Sequence, residues 1–172
     1  MKNHRVKQLA AILLIFAATF ALYVNCWDNP FVLDDLTKIQ QNPDLQVTSF
    51  NLSNFIFSYP ETTTQLRNDP SRPLTYIVFW LCWQAKADSP YLFHVVSTTL
   101  HASLAALLAL ITAELMLQIF GFYSLTAGLI TALLFLSSPL IAGTVVYAYG
   151  LSDVLSAFLI VLAYFALIRP SP

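Results

Sequence analysis

Asp34 and Asp35 stand side by side in Asn29-Pro30-Phe31-Val32-Leu33-Asp34-Asp35, shortly after the first apolar run of the chain. A carboxylate within hydrogen-bond reach of a hydroxyl can take its proton, and a close partner acid raises its pKa towards the working range. Aspartate is equally a favoured helix cap, so the pair would also serve as a turn or cap ahead of Leu36. A second polar set lies within an apolar run, where His94, Ser97, Thr98 and His101 recur at spacings of three, four and seven. At those spacings they project from one face of a helix. Polar groups inside a membrane face the protein interior or a wet cavity, because exposure to lipid is costly. This face either lines a site or hydrogen-bonds to neighbouring helices.

The elements that must carry these residues are membrane helices. Apolar residues make up 58% of the 172 and charged residues 10%, against about 45–50% and about 25% in a soluble domain. Residues 9–24 form the first apolar run, behind a flank carrying Lys2, Arg5 and Lys7. Tyr23, Val24 and Asn25 make a poor cleavage site, so the run reads as an uncleaved anchor. Further spans are expected over about 90–119, 122–136 and 154–168. The fold class is therefore all-α integral membrane, with about four transmembrane helices. The basic N-terminal flank and Arg169 put both termini on the cytoplasmic side. Residues 25–89 then form a long outer loop, with interfacial helices expected over about 49–57 and 73–84. In the second of these, Tyr76, Trp80 and Trp83 are aromatics suited to the headgroup boundary.

Several classes of chemistry lack their signatures. Net charge is −1, so nothing points to nucleic acid. With four glycines there is no phosphate-binding loop or dinucleotide fingerprint, and cysteine–histidine metal spacing is absent. Cys26 and Cys82 both fall in outer territory, where a disulfide is permitted but not specified.

The order of the motifs resembles a family. Phe31-Val32-Leu33-Asp34-Asp35, Ile39, Asn42-Pro43, Arg72-Pro73-Leu74, Pro90-Tyr91-Leu92-Phe93-His94, His101, Ser137-Ser138-Pro139, Gly150 and Asp153 follow one another as in the N-terminal membrane module of TPR-containing O-mannosyltransferase-like proteins. These belong to the C-type class of polyprenyl-phosphate-sugar glycosyltransferases. The resemblance touches about residues 29–160. It implies a sugar, such as mannose, moved from a polyprenyl-phosphate donor to a protein hydroxyl on the outer or lumenal face. Asp34 matches the acid that deprotonates the acceptor, with Asp35 its neighbour. Arg72 matches the cation that meets the lipid phosphate, ahead of Arg67 and Lys86. His94 and His101 match the pattern on the second span, and Asp153 an acid heading the last. A divalent metal is compatible with the class, though no residue set here asks for one. The implied partners are membrane lipid, lipid-linked sugar, a protein acceptor and a further membrane segment or subunit. The implied membrane is a bacterial inner membrane or the endoplasmic reticulum.

The chain also departs from the pattern. Related sequences look like His-Pro, an acid four residues after the proline, then Gly-Arg and an aspartate. Here the positions are Ser138-Pro139, Gly143, Gly150-Leu151 and Asp153. No repeat of about 34 residues follows, so the module is expected to be incomplete and inactive alone. The alternative expectation is a non-catalytic, degenerate four-helix membrane protein that binds lipid or a membrane partner.

Overall fold

The computed structural model describes residues 2–56 and 67–168, and every regular element among them is helical. The main helices are α1 (Lys2–Tyr23), α2 (Pro43–Gln46), α3 (Ser53–Ile56), α4 (Pro73–Ala85), α5 (Tyr91–Phe120), α6 (Leu125–Leu136), α7 (Pro139–Val146) and α8 (Leu151–Ile168). Three of them, α1, α5 and α8, are long and apolar enough to cross a membrane, and α6 with α7 makes a fourth, bent candidate. The chain is thus an all-α membrane protein. Phe57 and Arg169, each used in the sequence expectations, lie outside the described residues.

Local chemistry sets the helix boundaries. Gly121 ends α5 in the left-handed region at φ 78, its amide donating to the Leu117 carbonyl, a conformation that suits glycine because it lacks a Cβ. The Ser124 hydroxyl then accepts the Ala127 amide and caps α6. Pro139 ends the run that α6 began. A proline has no amide to continue the helix and disfavours helical backbone at the residue before it, and Ser138 is extended. The axis turns by 65° between α6 and α7. The helical segment α7 falls between the spans expected over about 122–136 and 154–168.

Two packed regions result. Within the bundle, Ala105, Ala106 and Ala109 of α5 meet Ala132 and Leu136 of α6 and Ile15 of α1. Small residues let the backbones approach closely, and a Cβ on Gly128 would overlap the Ala109 carbonyl. Above it, Phe31, Ile39, Leu45, Phe55, Tyr76, Phe79, Trp83, Phe93 and Leu151 form one apolar core. The described parts of the connection between α1 and α5 therefore pack around a core shared with Phe93 of α5 and Leu151 of α8. Tyr76 and Trp83 differ from expectation, because they are buried in this core and not offered to headgroups. On α4 they share an inward face with Phe79 and Cys82, the stripe that helical spacing produces. Leu74 and Leu81 are exposed on the opposite side.

Candidate functional site

The acidic pair sits in a tight turn that backbone geometry and a distant segment hold together. Leu33 adopts φ 50, a left-handed conformation uncommon for a branched side chain and costing about 1–2 kcal/mol. The Asp35 amide donates to the Val32 carbonyl at 3.0 Å and the Leu36 amide to the Leu33 carbonyl at 3.2 Å. A single wider turn over Leu36–Gln40 follows, in which the Gln41 amide reaches back to the Leu36 carbonyl.

The two acids have different surroundings. Asp35 is buried, and its two oxygens accept the Val32 amide at 3.1 Å and the Tyr149 amide at 2.7 Å. Burial raises its pKa above the ordinary carboxylate range, against the opposing pull of the Val32, Tyr149 and Ala148 amides and of His94. Asp34 is exposed. Its amide donates to the Tyr147 hydroxyl at 3.1 Å. It shares the wall of an open cleft of about 530 Å³ with Val32, Leu33, Gly143, Val146 and Tyr147. One acid is thus a bracket between two chain segments, and the other faces an apolar opening.

Tyr147 and Tyr149, which the sequence reasoning missed, connect the rest of the site. Burial, followed by the charges of Asp34 and Asp35, pushes the Tyr147 phenol up to about 12 although the Asp34 amide pulls the other way. The Tyr149 ring lies 6.4 Å from that of Tyr147 and 6.0 Å from the Arg72 guanidinium. Arg72 donates to the Ser152 hydroxyl at 2.9 Å and approaches the Asp153 carboxylate at 3.8 Å. Arg72 and Asp153 are therefore brought together, and the 147–153 segment joins them to the acidic pair. Alternating tyrosines after Val146 are the one signal that could have revealed this hub, and they look like any apolar helix end.

The histidine stripe points inward. His94, Ser97, Thr98 and His101 are all buried. Thr98 accepts the Trp27 indole N–H at 3.1 Å, and His94 Nδ1 lies 3.4 Å from the Val145 carbonyl oxygen. His101 packs against Tyr23 and Phe135, with ring centroids at 5.5 and 4.7 Å. Neither histidine lines the Asp34 cleft, but His101 shares the wall of a second cavity of about 340 Å³ with Asp153.

Other sequence candidates are engaged elsewhere. Arg67 pairs with buried Asp44, which also accepts the Asn68 amide at 3.1 Å. Asn42 caps α2 through the Asp44 amide and donates to Asn68. The Lys86 ammonium sits 4.8 Å from the Tyr91 ring centroid. Cys26 and Cys82 are free thiols, and burial pushes Cys82 up to about 11. Among the described residues, no group of three or more His, Cys, Asp or Glu is placed to hold a metal ion. Compared with protein-family models, with curated proteins and with solved structures, the chain finds no match.

Proposed function

We propose that this chain is part of a membrane glycosyltransferase that moves a sugar, such as mannose, from a polyprenyl phosphate to a protein hydroxyl, with Asp34 as the base. The observation that carries this reading is an exposed carboxylate on a strained turn, tied from a segment 113 residues away to the wall of an apolar cleft. Strained backbone of this kind persists where surrounding structure over-determines it, and it clusters at functional sites. In the reaction the acceptor oxygen attacks the anomeric carbon while the bond from that carbon to the phosphate oxygen breaks. The phosphate leaves with the bonding electrons, and the hydroxyl proton passes to Asp34. Arg72 would offset the charge gained by the departing phosphate, and Asp153 would orient Arg72. Asp35 would position the loop and not react. Both termini would lie in the cytoplasm, with the cleft on the outer or lumenal face of a bacterial inner membrane or the endoplasmic reticulum. Further membrane helices, on this chain or a partner, would complete the donor site.

A second reading, a non-catalytic membrane protein that binds lipid or a membrane partner, is favoured by Gly143. Bare backbone faces the cleft at the position where the resembled family carries an acid. One measurement separates the two. Membranes containing the chain with its native partners are given labelled polyprenyl-phosphate mannose and a hydroxyl-bearing acceptor protein, with the parent compared with Asp34→Asn at equal abundance. Loss of transfer by about 10²–10⁴-fold supports the enzyme, whereas identical transfer in the variant sinks it.

A further inference from the structure

Two cavities lie on different faces of α7. Gly143, Val146 and Tyr147 belong to the Asp34 cleft, whereas Leu140, Ile141 and Thr144 line the cavity of about 340 Å³, and helical spacing keeps the two sets apart. The two cavities share no lining residue. The second also takes walls from α5, α6 and α8, with Leu104, Phe135 and Val154 among its apolar side chains, and its size suits a small apolar ligand. His101 stands in this wall at 0% exposure, and neither of its ring nitrogens has a hydrogen-bond partner among the described residues. The Phe135 and Tyr23 rings pack against the imidazole without answering it. Buried polar groups are nearly always paired, so an orphaned imidazole beside a cavity calls for a partner from outside the chain. Other polar groups narrow what that partner is. The Thr144 hydroxyl donates to the Ile141 carbonyl at 2.7 Å, which leaves its oxygen able to accept. Asp153 marks the exposed end with 67% of its side chain open, and no lysine or arginine lines the cavity. A carboxylate with no lining cation disfavours a phosphate or a fatty-acid carboxylate.

We propose that this cavity binds an uncharged lipid alcohol, with its hydroxyl on His101 and its apolar chain leaving past Leu140, which is 87% exposed. A neutral imidazole offers one N–H donor and one acceptor nitrogen, and a hydroxyl supplies an acceptor and a donor in return. The apolar walls would hold the chain by burial. This site is separate from the Asp34 cleft and takes no proton from an acceptor, so it stands whether or not the chain moves a sugar. Because His101 has no hydrogen bond within the protein to lose, His101→Phe should keep the ring packing, hold or raise the thermal midpoint, and remove the group that the alcohol needs.

The test is photolabelling of the purified full-length chain in phosphatidylcholine nanodiscs with tetradecan-1-ol carrying a diazirine in its chain, read by peptide mass spectrometry. Labels should concentrate on the α5 and α7 peptides that contain Leu104 and Ile141. Unlabelled tetradecan-1-ol should suppress them, whereas its methyl ether, which cannot donate, and tetradecanoic acid, which is charged, should compete far less. His101→Phe should lower labelling of these peptides about tenfold, the worth of a lost hydrogen bond, at an unchanged or higher thermal midpoint. Labels spread evenly over the lipid-facing helices, equal competition by the ether, or unaltered labelling in a folded His101→Phe variant would each overturn the proposal. Competition in the parent chain decides the matter even if the variant folds poorly. Failure of the glycosyl-transfer reading would appear separately, as transfer insensitive to Asp34→Asn, and would leave the labelling result standing.

Discussion

Asp34 and Asp35 are adjacent in sequence, yet their environments differ in burial and in partners. Asp35 is 1% exposed and brackets Val32 to Tyr149 with two different oxygens. An asparagine there presents an amide nitrogen to one of those two N–H groups. Asp35→Asn should therefore destabilise the protein by about 1–3 kcal/mol, the cost of leaving a buried donor unpaired, read as a lowered thermal midpoint in detergent. The pH dependence follows from the raised pKa of Asp35, with burial as its main cause. A folded state that holds the proton more tightly than the unfolded chain is favoured at low pH. The contribution of Asp35 is full below the ordinary carboxylate range and declines as pH rises through its raised folded value. Thermal midpoints measured across pH should show this decline in the parent and lack it in Asp35→Asn.

At the scale of elements, the glycines separate contact from mere sequence context. Gly128 lies where α6 meets α5, and a Cβ there would overlap the Ala109 carbonyl. Backbone cannot swing aside as a flexible side chain does, so Gly128→Ala should cost about 1–3 kcal/mol and lower the unfolding midpoint. Gly143 lies within α7, and a Cβ added there would meet open space. Gly143→Ala should hold or raise stability by up to about 1 kcal/mol, because alanine is the better helix former. Equal effects of the two substitutions would contradict the close approach of α5 and α6. The polar stripe on α5 belongs to this scale too. Its inward direction was readable from the spacing of His94, Ser97, Thr98 and His101, whereas its partners Trp27, Tyr23, Phe135 and Val145 come from other elements.

Across the whole molecule, Arg72 connects the folded connection to the head of α8 through Ser152 and Asp153. Both charged side chains are substantially exposed, at 44% and 67%, and an exposed pair of this kind contributes at most about 1 kcal/mol. Arg72→Gln should accordingly leave the thermal midpoint almost unchanged while lowering sugar transfer by about 10²-fold or more if the guanidinium meets the departing phosphate. A matched fall in stability and transfer would assign Arg72 to the scaffold. The sequence by itself determined the membrane class, the long apolar helices and the inward face of α5. Composition and helical periodicity are local properties, and lipid permits little besides helices with satisfied backbones. It also singled out Asp34, Asp35, Arg72 and Asp153 through ordered motifs. The bend between α6 and α7 was signalled by Pro139, but its angle depends on packing. Only the tertiary structure decided that Tyr76 and Trp83 are core, that Asp35 is a buried bracket and Asp34 an exposed acid, and that Tyr147 and Tyr149 close the site. Those distinctions arise from contacts between segments far apart in the chain, where one residue's burial and hydrogen bonds are fixed by another's backbone, and no spacing along the sequence encodes them.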